Sequence, residues 1–150
     1  MSKNDLKRTN NQMILIIEDS DEDFYATKRV FDKSNLRNPI QRCSEGDEAL
    51  DYLLGCTASG GNTRPGLVLL DFNLPGTDGQ EILRQVKDHP ELASIPIMIL
   101  TTSDDAKDIE ACMNLGADSY IKKPINLESL FRSISRFEHH DLELVILPKG

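Results

Sequence analysis

Five short strand candidates, three of them unbroken apolar runs, punctuate the chain, and helical periodicities fill the gaps between them. Met13 to Ile17 is an unbroken apolar run closed by Glu18 and Asp19. Ile40 to Cys43 is a weaker strand candidate, because polar residues interrupt it. Leu67 to Leu70 leads into Asp71, Ile97 to Leu100 into Thr101-Thr102-Ser103, and Ser119 to Lys122 into Lys123-Pro124. Continuous apolar runs of this length, without alternation, predict strands buried on both faces of a parallel sheet.

The intervening stretches carry helix signals. Ser20 stands where an N-cap belongs, Asp21, Glu22 and Asp23 fill the first turn, and Phe24, Thr27, Val30 and Phe31 recur at helical spacing to about Ser34. Ser44 is the expected cap of a second helix carrying Ala49, Leu50, Leu53 and Leu54 and ending near Gly55. Thr57 to Gly66, rich in Gly, Ser and Thr, reads as a connection. Thr77 to Gln80 has the form of a capping box before a third helix with Ile82, Leu83 and Val86 inward. Ile109, Cys112, Met113 and Leu115 mark a fourth, with Gly116 where a C′ glycine belongs. Asn126 opens a fifth, whose stripe is Leu127, Leu130, Phe131, Ile134 and Phe137.

Residues 1–12 read as a flexible N-terminal tail, 13–138 as one domain, and 139–150 as a short extension in which Leu142 to Leu147 forms a further extended segment. Five β-α alternations, with links long enough only for crossovers, call for an α/β fold: a parallel sheet with helices on both faces.

Composition narrows the function. The 150 residues suit one domain with one sizeable core. A net charge of −8 argues against a nucleic-acid surface, which needs a basic patch. No run approaches a membrane span, and the first residues lack the apolar core of a signal peptide. Three scattered cysteines, Cys43, Cys56 and Cys112, have no zinc-ligand spacing and suit reduced thiols in the cytoplasm.

The candidate chemistry lies in the residues that finish the strands. Open α/β sheets place their sites at the carboxyl ends of the strands. Here those ends carry Glu18 and Asp19, Asp71, Thr101 and Lys123. Three carboxylates at one sheet edge repel one another unless a cation sits among them, and oxygen ligands suit Mg²⁺. A hydroxyl and an ammonium on neighbouring ends supply what a phosphoryl oxygen needs. Phosphoryl transfer asks a protein mainly for positioning and charge neutralisation. Each residue alone has an ordinary reading: an acidic first helical turn, a β-branched strand end, a solvated lysine. The conjunction on four strand ends carries the assignment.

Four motifs extend it: Ile-Glu18-Asp19, Leu-Leu-Asp71-Phe-Asn-Leu-Pro-Gly-Thr-Asp-Gly79, Leu-Thr101-Thr-Ser, and Tyr120-Ile-Lys-Lys123-Pro124. Together they resemble the receiver domain of two-component response regulators, over about Met13 to Phe137. The resemblance implies a flavodoxin-like, doubly wound five-stranded sheet of order 2-1-3-4-5. It implies that Asp71 accepts a phosphoryl group from a histidine kinase. Asp19, Asp71 and the backbone carbonyl of Asn73 would hold Mg²⁺, with Glu18 acting mainly through bound water. Thr101 would bond a phosphoryl oxygen, Lys123 would pair with the phosphoryl group, and the bond to Pro124 would be cis. Tyr120 would be the switch aromatic or an ordinary strand aromatic. Asn73 and Ser103 match positions that tune dephosphorylation. Departures from the family pattern are Phe72, Thr77 and Thr102, and none removes a reacting group.

More narrowly, three features resemble the single-domain regulators partnered with cyanobacterial phytochromes. These are the linker before strand three, the His89-Pro-Glu-Leu…Ile-Pro96 passage, and the tail Leu142 to Pro148. That implies a phytochrome-type sensor kinase as partner and a homodimer through helix four, strand five, helix five and the tail. With only a dozen residues after the last helix, signalling is expected to leave by surface contact, from a phosphoacceptor with intrinsic phosphotransfer and autodephosphorylation chemistry rather than an enzyme. Two other classes are a phosphorylation-independent interaction module and an aspartyl-phosphate hydrolase. Asn73 counts against the hydrolase, since a second Asp belongs there as general acid.

Overall fold

The computed structural model describes residues 13–34, 36, 38–57, 60–72 and 79–135. Five strands alternate with five helices among them: β1 Ile14–Ile17, α1 Asp21–Lys33, β2 Ile40–Cys43, α2 Gly46–Leu54, β3 Leu67–Asp71, α3 Gly79–Asp88, β4 Ile97–Thr101, α4 Ala106–Asn114, β5 Ser119–Lys122 and α5 Leu127–Ser135. Every strand pair is parallel, and the order is β2-β1-β3-β4-β5. This is the doubly wound, flavodoxin-like sheet that the resemblance implies.

The unbroken apolar runs are explained by two cores. Leu15, Ile17, Val68, Leu70, Ile97 and Ile99 pack on one face, against residues such as Leu53, Leu83 and Cys112 of α2, α3 and α4. Their alternates, Ile14, Ile16, Leu67, Leu69, Met98 and Leu100, pack on the other, against Phe24 and Phe31 of α1 and Leu130 and Ile134 of α5. Successive strand side chains point to opposite faces, so a sheet covered on both needs apolar residues at every position. Each such side chain, fully buried, contributes roughly 1.5–3 kcal/mol.

The helix ends largely follow the sequence signals. Ser20 Oγ accepts from Asp23 N at 3.2 Å and caps α1. Asn126 Oδ1 accepts from Ser129 N at 2.8 Å while Asn126 N donates to Ser129 Oγ at 3.2 Å, a reciprocal cap on α5. Gly116 follows α4 with φ +104°, a backbone region that side chains other than glycine rarely enter. Lys123–Pro124 is cis.

Two local expectations need correction. The N-cap of α2 is Glu45, with no side-chain cap bond, so Ser44 lies one residue before it. Met113 is 43% exposed, whereas its neighbour Cys112 is buried. At about 100° per residue, adjacent residues cannot both centre on the inward stripe. The capping box at Thr77, the stripe residue Phe137, and the terminal segments 1–12 and 139–150 lie outside the described residues. No described helix is long and apolar enough to cross a membrane.

Candidate functional site

Strand register brings the acidic residues level. Ile17 pairs with Leu70, so the next residue on each strand, Glu18 and Asp71, finish β1 and β3 side by side. On the other flank Asp71 pairs with Leu100 and Thr101 with Lys122. Lys123 N then donates to Thr101 O at 2.7 Å, which directs the lysine back along the carboxyl edge. Glu18, Asp19 and Asp71 each offer a carboxylate oxygen, and the three lie within 4.8 Å of one another.

Lys123 links this group to a fourth acid. Its ammonium donates to Glu18 Oε1 at 2.7 Å and to Asp23 Oδ2 at 3.0 Å, and stands 3.4 Å from Asp71 Oδ2. The lysine side chain is only 12% exposed, and Glu18 is wholly buried. Burial alone would lower the Lys123 ammonium, but its bonds to Glu18 and Asp23 and the nearby charges of Asp71 and Glu18 outweigh that and hold it above the usual lysine range. For Glu18, burial first, then the hydrogen bond with Asp71, outweigh Lys123 and push the carboxyl up from 4.5 to about 7.

That shift states the electrostatic problem of the site. Neighbouring buried carboxylates are costly when both are ionised, and a proton or a cation relieves them. Three hard oxygen donors, one of them exposed on Asp19, fit a divalent ion that keeps part of its water shell. The backbone carbonyl of Asn73 lies outside the described residues, so that part of the expected ligand set is not in view.

The remaining expected site residues cluster beside β4. Thr101 is buried, and its Oγ1 accepts from Ser103 N at 3.1 Å. Ser103 Oγ donates to Asp108 Oδ2 at 2.7 Å and accepts from Asp105 N at 3.1 Å, tying the loop to the start of α4. A cavity of about 270 Å³ adjoins Thr101, lined also by Phe72, Ile109, Cys112 and Tyr120. Tyr120 stands at its rim and is 40% exposed. Lys122 points elsewhere and pairs with Asp104 at 3.0 Å on the exposed surface.

Two residues near the site escaped the sequence reading. Asp23 looked like one more acid in a helical first turn. Arg42, in the middle of β2, looked like a polar interruption of a strand. Arg42 Nε donates to the Glu18 carbonyl at 3.0 Å, its Nη1 pairs with Asp21 Oδ1 at 2.7 Å, and its guanidinium lies 4.7 Å from the Phe24 ring centre. It thereby buttresses the end of β1 that carries Glu18. No sequence signal singles Asp23 out, because Asp19 precedes the extended N-cap Ser20 and the two share no helical turn.

A five-stranded sheet of this order, with an acidic cluster and a lysine at its carboxyl edge, defines a receiver domain. Residues 14–135 match the family described as the response regulator receiver domain, and the chain belongs to that family. It is 35% identical over 137 residues to the response regulator Rcp1 of Synechocystis sp., which covers 91% of this chain and 93% of Rcp1. The crystal structure of the Mn(2+)-bound form of Rcp1 matches with a TM-score of 0.69 at 34% identity, over 92% of this chain and 99% of that one. The phosphorylated cyanobacterial phytochrome response regulator RcpA matches with a TM-score of 0.70 at 33% identity, over 85% of this chain and 91% of that one. Receiver domains bind Mg²⁺ at an acidic pocket and act with sensor histidine kinases, and in this chain Glu18, Asp19 and Asp71 form an acidic group.

Proposed function

We propose that the chain is a single-domain response regulator whose Asp71 accepts a phosphoryl group from a phytochrome-type sensor histidine kinase. The observation that carries this reading is the placement of Asp71: a buried carboxylate at a strand end, grouped with Glu18 and Asp19, and 3.4 Å from the Lys123 ammonium. An Asp71 carboxylate oxygen attacks phosphorus, and the P–N bond of the donor phosphohistidine breaks. The bonding pair returns to the imidazole nitrogen, which takes up a proton, and an acyl phosphate forms on Asp71.

Asp19, Asp71 and the Asn73 carbonyl would hold Mg²⁺, with Glu18 acting mainly through water; the ion neutralises charge on the phosphoryl oxygens when bound. Lys123 pairs with a phosphoryl oxygen, and Thr101 gives a hydroxyl hydrogen bond to another. Thr101 then leaves its present bond with Ser103 N, and Tyr120 turns toward the adjoining cavity. That movement shifts a two-state equilibrium of the α4-β5-α5 face, which meets a partner or a second copy of the chain. Water attacking the phosphorus of the acyl phosphate returns the resting state, at a rate tuned from positions Asn73 and Ser103. The phytochrome assignment is supported by the resemblance to RcpA.

The test is phosphorylation by acetyl phosphate with Mg²⁺, and by candidate photoreceptor kinases, read by intact mass with Asp71→Asn as control. The wild-type chain should gain one phosphoryl group and Asp71→Asn none. An unmodified wild-type chain would overturn the reading.

A further inference from the structure

We infer that Arg42 is a positioning residue for Asp19: from β2 it fixes the backbone turn that carries this carboxylate, and so sets the strength of metal binding at the acidic group. The inference rests on the reading that Asp19 and Asp71 hold Mg²⁺.

The three acids of the group are held in different ways. Asp71 ends β3 within the ladder, paired with Leu100, and the buried Glu18 side chain accepts from Lys123 at 2.7 Å. Asp19 is exposed and lies in the connection between β1 and α1, beyond the last ladder pair of β1. Its carboxylate is therefore placed by its backbone, and β2 grips that backbone. Glu18 N donates to Cys43 O at 3.0 Å. Arg42 Nε donates at 3.0 Å to the Glu18 carbonyl, which belongs to the peptide joining Glu18 to Asp19. Arg42 Nη1 pairs with Asp21 Oδ1 on α1 at 2.7 Å. One guanidinium thus spans Asp19 and Ser20, with one nitrogen on the strand side of the turn and another on the helix side.

Packing alone does not account for an arginine here. The guanidinium lies 4.7 Å from the centre of the Phe24 ring, and the side chain is only 20% exposed. Its Nη2 is buried without a hydrogen-bond partner among the described residues. A buried donor left unpaired is destabilising, and an aliphatic residue could cover Phe24 without that cost. What the guanidinium adds is a rigid fork that bonds two acceptors at fixed spacing. The charge itself works against metal, because like charges repel and a cation beside the acidic group weakens the binding of a divalent ion. Loss of the charge and loss of the fork therefore push Mg²⁺ affinity in opposite directions.

Mg²⁺ affinity and amide hydrogen exchange, both on the full chain, test this. Arg42→Met should weaken Mg²⁺ binding about three- to tenfold, at or below the lower end of what loss of an outer-shell partner costs. Arg42→Lys keeps the charge, but one ammonium cannot bond at both ends of the turn, and it should weaken binding as well. Arg84→Met removes a cation from the exposed face of α3 and should leave the affinity unchanged. In chelator, exchange in Arg42→Met should quicken at residues 18–20 and keep wild-type rates in β3 and β4. Unchanged or tighter Mg²⁺ binding by Arg42→Met, wild-type affinity in Arg42→Lys, or exchange that quickens equally across the sheet would each overturn the inference. Asp19→Asn is the control on the metal reading. If it binds Mg²⁺ as tightly as the wild-type chain, that reading fails, while amide exchange still reports whether Arg42 holds the turn.

Discussion

Glu18 is the buried acid of the site whose protonation differs most from that of a free carboxyl. Its carboxyl, raised from 4.5 to about 7, binds a proton more tightly in the folded chain than in the unfolded one. The stability this contributes is complete at low pH and is lost as the pH rises from about 4.5 through about 7. In chelator, the wild-type chain should therefore lose on the order of 2–3 kcal/mol across that window relative to Glu18→Gln. Mg²⁺ held by this acidic group would take the place of the proton, so adding it should flatten the curve. Urea unfolding of both proteins at a series of pH values checks this, and parallel curves in chelator would contradict it. Asp71 and Thr101 were legible because each ends an apolar run, and Lys123 because it follows a brief strand and precedes Pro124. Asp23 and Arg42 were not. Their hydrogen-bond partners lie 100 and 24 residues away, and no local periodicity encodes a contact between elements that meet only in the folded sheet.

Elements were legible in proportion to how completely they are buried. β1, β3 and β4 are buried at every position and stand out as continuous runs. β2 is an edge strand with one buried residue, Cys43, and gave the weakest signal. Burial pushes the Cys43 thiol up to about 12, so this cysteine fills the core and does not react. Helix boundaries held where a side chain makes the cap, at Ser20 and Asn126, and slipped at α2, where none does. The end of α4 offers a direct test. A Cβ added at Gly116 would lie 2.9 Å from Lys87 Cγ, on a backbone already at φ +104°. Lys87 cannot simply move away, because its ammonium donates to Ala93 O and Ile95 O and pairs with Asp118. Gly116→Ala should destabilise the chain by about 1–3 kcal/mol in urea unfolding, while Gly61→Ala, in open space, should cost far less. Equal losses would contradict the assignment.

At the scale of the molecule, one sheet edge gathers four strand ends, and cores packed on both faces support the sheet behind it. The parallel order was readable because crossovers leave few alternatives, and strand register then decides which polar residues meet. What the sequence pattern alone could not convey is how the signal leaves. The proposed route is the α4-β5-α5 face, with the C-terminal extension joining a homodimer. Deleting residues 141–150 should convert dimers to monomers on a sizing column, and an unchanged dimer would reject that role for the extension.

In the proposed function, Asp71 carries the phosphoryl group. Borohydride reduces an acyl phosphate to an alcohol and would convert a phosphorylated Asp71 to homoserine. After treatment with acetyl phosphate, Mg²⁺ and borohydride, peptide sequencing by mass should find homoserine at position 71, and none when Mg²⁺ is chelated. Modification at another carboxylate, or none at position 71, would contradict the account.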